Sequence, residues 1–289
     1  MIGEAGRTAM MNQGCTTFAA PKRLLTVALV ALVALVALVT ACAEDKPKYV
    51  ERQVDEIYNN AVNELERKNY SEAAKLFDEV ERQHPYSVWA TKAQLMAGYA
   101  HYEDNAYDEA IIALNRFIQL HPGNRDIAYA HYLKALSYYE QISDVARDQL
   151  ATEKALDSLQ EVIRRFPDTR YARDARLKID LTRDHLAGKE MDIGRYYLEL
   201  GHYLAAINRF RRVVSEFQTT THVPEALHRL VEAYTALGIT DEARQSAAVL
   251  GHNYPGSEWY IDSYALASGE ERAGEEPKGF FARAWDWVF

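Results

Sequence analysis

The apolar positions of the chain follow two different patterns. Leu24 to Val39 form an unbroken run of 16 residues with no charge and a single hydroxyl, Thr26. From Asp55 onward apolar residues recur three or four apart with polar residues between them, the spacing of one helix face. Pro85, Pro122, Pro167 and Pro255 punctuate this region, closing VERQHP, FIQLHP, VIRRFP and VLGHNYP. A proline just past a helical stretch marks its stop, because it has no N–H to donate and its ring blocks continuation. The pattern predicts a short apolar leader followed by an all-α chain.

Aligned on these stops, the helical stretches share a register. The first has Ala61, Tyr70, Ala73, Phe77, Val80 and Pro85, and the second has Gly98, Tyr107, Ala110, Leu114, Phe117 and Pro122. This order of small, aromatic, small, large, apolar and proline, with a period of about 34 residues, resembles the TPR repeat. The third segment (Ala135 and Tyr138, then Ala155, Leu159, Val162 and Pro167) contains an insertion around Ser143 to Gln149, a candidate contact loop. Residues 171–187 read as an additional helix. A fourth segment follows with Gly194, Tyr197, Tyr203, Ala206, Phe210 and Val213, and has Gln218 where the proline would stand. The fifth has Leu227, Leu230, Val231, Tyr234, Gly238, Ala243, Ala247, Leu250 and Pro255. The expected fold is an all-α TPR solenoid of about five helix pairs, since no single pair can bury its own apolar face and stacked pairs bury one another's.

Lys22 and Arg23 directly precede the apolar run, which is short for a membrane span and has the layout of a secretory signal. Met10 or Met11 as the start would leave the basic region at ordinary length. Val39-Thr40-Ala41-Cys42 resembles a lipobox, which implies cleavage before Cys42 and acylation of its thiol and new amine. Cleavage after Ala41 without acylation and a retained anchor are the alternatives. The only other cysteine, Cys15, lies in the leader, so acylation would remove the one thiol exposed to an oxidising compartment. Ala43, where an aspartate would signal inner-membrane retention, points by resemblance to the outer membrane.

The divisions expected are 1–41 signal, 42–54 acylated linker, 55–167 a substrate-binding half, 168–264 a partner-binding half with the extra helix, and 265–289 an acidic linker and aromatic tail. As a helix that tail places Phe281, Ala284, Trp285 and Val288 on one side; as a strand it aligns Trp285, Trp287 and Phe289, in imitation of an aromatic-ended ligand.

Composition narrows the function classes. The chain is 48% hydrophobic and 26% charged, an ordinary globular balance. Its net charge is −9, and loss of residues 1–41, which carry three basic side chains and one acid, makes it more negative; a nucleic-acid partner is not expected. It contains no GxG phosphate loop, GKS or GKT, HExxH, CxxC or GxSxG. Neither catalysis, a cofactor nor a metal is expected, and His84 and His121 are explained as helix-end residues.

Candidate binding residues come from the first helix of each pair, whose inward positions line the groove of a TPR stack. In the first three segments these are Asp55, Tyr58, Val62, Leu65 and Glu66; Lys92, Leu95, Tyr99, Tyr102 and Glu103; and Tyr129, Tyr132, Leu136, Tyr139 and Glu140. Tyr58, Tyr99, Tyr102, Tyr129, Tyr132 and Tyr139 suit an extended peptide with aromatic side chains, because tyrosine offers an apolar face and a polar tip. The alternative is that several merely pack against neighbours. Segments four and five are charged instead, with Arg195, Glu225 and Glu232 on first helices and Arg209, Arg211 and Arg212 near Glu216, which reads as a rigid protein contact or a solvated face.

The acylated cysteine, short linker, five repeats with a long third loop, and the strings RQHPYS, RFIQLHPGN and RRFPDTRYA together resemble the BamD family of the β-barrel assembly machinery, over Cys42 to Pro255. The resemblance implies a non-catalytic scaffold, lipid-anchored in the outer membrane and facing the periplasm. It implies binding to the POTRA domains of an Omp85-family insertase, to accessory assembly lipoproteins and to unfolded outer-membrane proteins. Ile207-Asn208-Arg209 matches the family's VNR-type segment, so Arg209 carries over as an insertase contact. A different exported TPR adaptor, coordinating another envelope process, is the alternative.

Overall fold

The computed structural model describes residues 51–268, and the signal, Cys42 and the aromatic tail from 269 onward lie outside them. Eleven helices and no strands occur among the described residues: α1 (Val54–Glu66), α2 (Tyr70–Gln83), α3 (Val88–Glu103), α4 (Tyr107–Leu120), α5 (Ile127–Tyr139), α6 (Leu150–Arg165), α7 (Arg170–Glu199), α8 (Tyr203–Glu216), α9 (Val223–Ala236), α10 (Thr240–Asn253) and α11 (Glu258–Ser268). They pair in chain order, α1 with α2 through α9 with α10, and each pair packs on the next. The expected stack of five pairs is present.

Two turns, each used repeatedly, build the stack. Within pairs, Lys68, Asn105, Gly201 and Gly238 all adopt positive φ, between 59° and 72°. The next residue's N–H then bonds back five positions, as in Asn69 to Glu64 and Ala106 to His101, each 2.9 Å. This is a Schellman closure, which satisfies carbonyls that the helix end leaves unpaired. Between pairs, the helix ends on a ring-bearing residue with φ between −122° and −135°: His84, His121, Phe166, Phe217 and Tyr254. Three residues on, an N–H bonds to that residue's carbonyl, as in Ser87 to His84 at 3.0 Å and Thr169 to Phe166 at 3.2 Å. The side chains of Ser87 and Thr169 then cap the next helix through Ala90 N and Ala172 N. Phe217 makes the same turn without a following proline, so the ring, rather than the proline, is common to every junction.

The core runs along the helix crossings. Phe77, Phe117 and Phe210 are its largest fully buried side chains, each in the second helix of a pair. They sit where the first helix is small: Ala61 joins Phe77 in one cluster, and a Cβ on Gly194 would collide with Phe210. Cross-helix approach at that distance is available only without a side chain.

Two expectations change. The additional helix and the first helix of segment four are one continuous 30-residue helix, α7. No proline or positive-φ residue interrupts it, and Gly188 lies mid-helix against Val145 and His222. The first half of α7 packs on α6 through Ala175 and Ile179, and the second packs on α8 through Ala187 and Met191. It thereby ties together the segments on either side of residue 168. The chain also remains helical past Pro255: α11 packs on α9 and α10 and continues through Ala265 to Ser268, into what reads in sequence as linker.

Candidate functional site

Four of the six candidate tyrosines converge. Tyr99 and Tyr102 stand on α3 and Tyr129 and Tyr132 on α5, all half-buried, and Tyr171 from the first turn of α7 completes the group. The Tyr171 ring lies 5.6 Å from that of Tyr129 and 5.2 Å from that of Tyr132, both tilted. The Tyr132 hydroxyl donates to Asp174, one turn further along α7. Tyr139 is nearby but engaged differently, with the Lys178 ammonium 4.9 Å from its ring centre. Tyr58 belongs elsewhere: its ring packs 5.5 Å from Phe77 and 4.7 Å from Trp89, closing the first pair.

Burial pushes the Tyr102 hydroxyl up to about 12, helped by Glu140, Tyr107 and Glu103. Burial also drives Tyr129 and Tyr132 upward, with the bond to Asp174 adding to the effect at Tyr132. These hydroxyls therefore stay protonated throughout the neutral range, with the Tyr132 donor engaged by Asp174 and the Tyr102 donor by Glu140. The face combines apolar rings, neutral O–H donors and rim carboxylates, with the Arg170 guanidinium stacked 5.0 Å over Tyr171. That suits an extended segment whose side chains are aromatic and whose backbone N–H groups can meet the rim carboxylates.

The candidate arginines have partners within the chain. Arg195 makes a two-pronged bond to Glu225 on α9, at 2.8 and 2.7 Å. Arg209 and Arg212, both on α8, hold the two oxygens of Glu190 on α7 at 3.1 and 2.7 Å, and Arg212 also bonds Glu216 at 2.9 Å. The Glu190 side chain is only 9% exposed, while Arg209 and Arg212 remain 38% and 46% exposed. Each of these two arginines therefore locks α8 to α7 with one edge and presents the other to solvent. Arg209, Arg212, Asn208, Tyr197 and Ala205 line a shallow depression, and Tyr196, Leu200 and Leu204 stand exposed around the α7–α8 turn. Repeat counting in the sequence does not find Tyr171, which lies in the additional helix outside the repeat register, or Glu190, which falls at a repeat position that the inward count does not select.

Burial would raise the Glu225 carboxyl, but Arg195 and Arg229 outweigh it and hold it below its usual value. A carboxyl lowered in the fold contributes stability above its unfolded value and loses it as pH falls through the folded one. We expect the α7–α9 contact to weaken below about pH 4, and Glu225→Gln to flatten the dependence of chemical-denaturation midpoint on pH between about 4.5 and 3. An unchanged slope in that variant would show the pair to be inert.

The insertion between α5 and α6 is a built loop. The buried Gln149 side chain donates to the carbonyls of Asp144 and Arg147 and accepts from Thr152, and Lys189 of α7 reaches the Ala146 carbonyl at 2.9 Å. Among the described residues no cluster of three or more potential metal ligands occurs, and no helix is long and apolar enough to cross a membrane.

The sequence has relatives among outer-membrane proteins. Residues 50–250 match the family model described as outer membrane lipoprotein, YfiO. The chain is 56% identical over 218 residues to the outer membrane protein assembly factor BamD of Caulobacter vibrioides, covering 75% of this chain and 72% of that one. It is 52% identical over 210 residues to the BamD of Rickettsia prowazekii, covering 73% and 84%. To the BamD of Neisseria meningitidis serogroup A it is 36% identical over 246 residues, covering 82% and 92%. The chain belongs to the YfiO outer membrane lipoprotein family, with the assembly factors named BamD among its relatives.

Proposed function

We propose that the protein is a non-catalytic scaffold for outer-membrane protein assembly, held in the outer membrane by acylated Cys42 and facing the periplasm. Its relatives' role in outer-membrane protein assembly supports the general function. The observation that carries the finer reading is the convergence of Tyr99, Tyr102, Tyr129, Tyr132 and Tyr171 from three helices onto one half-exposed face. That face holds unfolded outer-membrane proteins in extended form. The α7–α8 face, with Arg209, Arg212, Arg195 and the exposed Tyr196, Leu200 and Leu204, docks the POTRA domains of an Omp85-family insertase. Accessory assembly lipoproteins complete the complex.

Arginines already fixed by Glu190 and Glu225 are good interface residues, because little side-chain freedom remains to be lost on docking. Pull-down from detergent-extracted outer membranes with a tagged, acylated chain is expected to recover the insertase. Arg209→Glu, which sets a second carboxylate beside Glu190, should reduce recovery by at least about tenfold, while Arg211→Glu on the same helix leaves most of it. Recovery of no insertase by the unaltered chain would favour the envelope-adaptor reading.

A further inference from the structure

The edge at which the chain enters the stack has a composition that neither proposed site uses. Tyr86 is fully exposed, at 102% of its reference area, and Val88 is 79% exposed. Both belong to the junction between α2 and α3. Beside the same junction of the next repeat, Leu120 at the end of α4 is 56% exposed, and Arg125, 3.3 Å from the Asp126 carboxylate, has its side chain 86% exposed. The opposite edge of the same two pairs carries the exposed polar runs Arg67-Lys68-Asn69 and Asp104-Asn105, each closely followed by a half-buried tyrosine, Tyr70 and Tyr107. Scattered exposed hydrophobics are ordinary, and others stand on the flank of α4 (Ile112) and at the α7–α8 turn (Leu200 and Leu204), but among the turns of the first two pairs the most exposed ones lie on the entry edge.

That edge is also where the chain comes in. The Arg52 N–H donates to the Gln83 side chain at 2.9 Å, and the Arg52 carbonyl lies 2.7 Å from His84 Nε2. Arg52 is thus fastened to the end of α2, whose C-cap His84 stands two residues before Tyr86. Ten peptide units separate Cys42 from Arg52, so a membrane-held Cys42 keeps Arg52 within about 35 Å of the lipid.

We propose that the edge bearing Tyr86, Val88 and Leu120 rests in the membrane interface, as a second, non-covalent lipid contact that sets the orientation of the stack. The inference rests on the reading of Cys42 as acylated. Tyrosine favours the headgroup level, where its ring is shielded and its hydroxyl wet, and Arg125 is placed to meet phosphates. Two or three such side chains would not hold a free protein on a bilayer. Once the anchor makes the encounter intramolecular, a weak contact is enough to choose one face over another. The opposite edge then stands away from the bilayer by the length of α3, about 24 Å.

The test uses the mature acylated chain, in which an introduced cysteine is the only free thiol, in vesicles of phosphatidylethanolamine and phosphatidylglycerol. Flotation with the vesicles is scored first. A nitroxide at Tyr86→Cys should collide with oxygen more than with a water-soluble nickel chelate, whereas a nitroxide at Asp104→Cys on the far edge should show the reverse. Val88→Asp, at an exposed first-turn position where a carboxylate suits the helix, should leave circular dichroism unchanged and return the Tyr86 label to water. If the chain floats but the Tyr86 label is aqueous, or is shielded from both reagents, this inference is overturned and acylation stands. If the chain does not float, the acylation reading fails and takes this inference with it.

Discussion

Gly194→Val is expected to lower the thermal midpoint by roughly 6–12 °C, which at about 2–4 °C per kcal/mol corresponds to about 3 kcal/mol. Gly194 sits on α7 where α8 crosses, and a Cβ there would lie 2.8 Å from Cδ1 and Cζ of Phe210. Phe210 is fully buried, so its ring has nowhere to swing. Two other helical glycines provide a scale. A Cβ on Gly98 meets the branched end of Leu114, an aliphatic tip that yields more readily than a ring, and one on Gly251 meets Tyr260, which is half-buried and can yield toward solvent. The expected order of destabilisation is Gly194, then Gly98, then Gly251. Replacing a helical glycine recovers up to about 1 kcal/mol of helix propensity, so Gly251→Ala should come out near neutral while Gly194→Ala does not. The effect should also reach function. A displaced α8 carries Arg209 and Arg212 off Glu190, so insertase recovery should fall although valine never touches the partner. A Gly194→Val chain that melts with the unaltered one would mean that the α7–α8 crossing is looser than its geometry implies.

The repeat is legible in the sequence because each of its signals is a local physical necessity. Prolines mark helix stops, small residues mark crossings, and Gly201 and Gly238 supply the left-handed turn that Lys68 and Asn105 adopt without glycine's freedom. The ring at four of the five junctions, His84, His121, Phe166 and Tyr254, is also present in the strings that precede the prolines, where the proline is the more visible of the two signals. What is not legible depends on α7. Nothing local in residues 171–199 says whether one helix or two will form, because the answer lies in the packing of α6, α8 and the inserted loop around it. Tyr171 and Glu190 are hidden for the same reason. Tyr171 is 39 residues from Tyr132 in sequence, and Glu190 meets arginines 19 and 22 residues away. Counting repeat positions finds the tyrosines of α3 and α5, yet it cannot find what a neighbouring helix contributes to the same face.

The second large effect is expected at that face. Tyr132→Ala should weaken binding of an extended, aromatic-rich peptide by about 2 kcal/mol, roughly thirtyfold. Tyr132 is central: its ring stacks on Tyr171, its hydroxyl holds Asp174, and it stands among Tyr102 and Tyr129. Truncation removes contact area and releases two neighbours that had been fixed by it. The fold bears part of the loss, since the ring is half-buried and packs beside Ala135 and Leu159. Tyr132→Phe separates the contributions. It keeps the ring in place and removes only the hydroxyl, so affinity should stay within about threefold if stacking dominates, and Asp174 is left free to take a new donor. Tyr58→Phe provides the control outside the cluster, because Tyr58 closes the first helix pair against Trp89 and Phe77 and should leave peptide affinity unchanged. Fluorescence anisotropy with a labelled peptide, alongside thermal melts of each variant, measures both quantities. A Tyr132→Ala chain that melts lower but binds as before would assign the tyrosines to packing alone, and the extended substrate would then have to be held by some other surface of the stack.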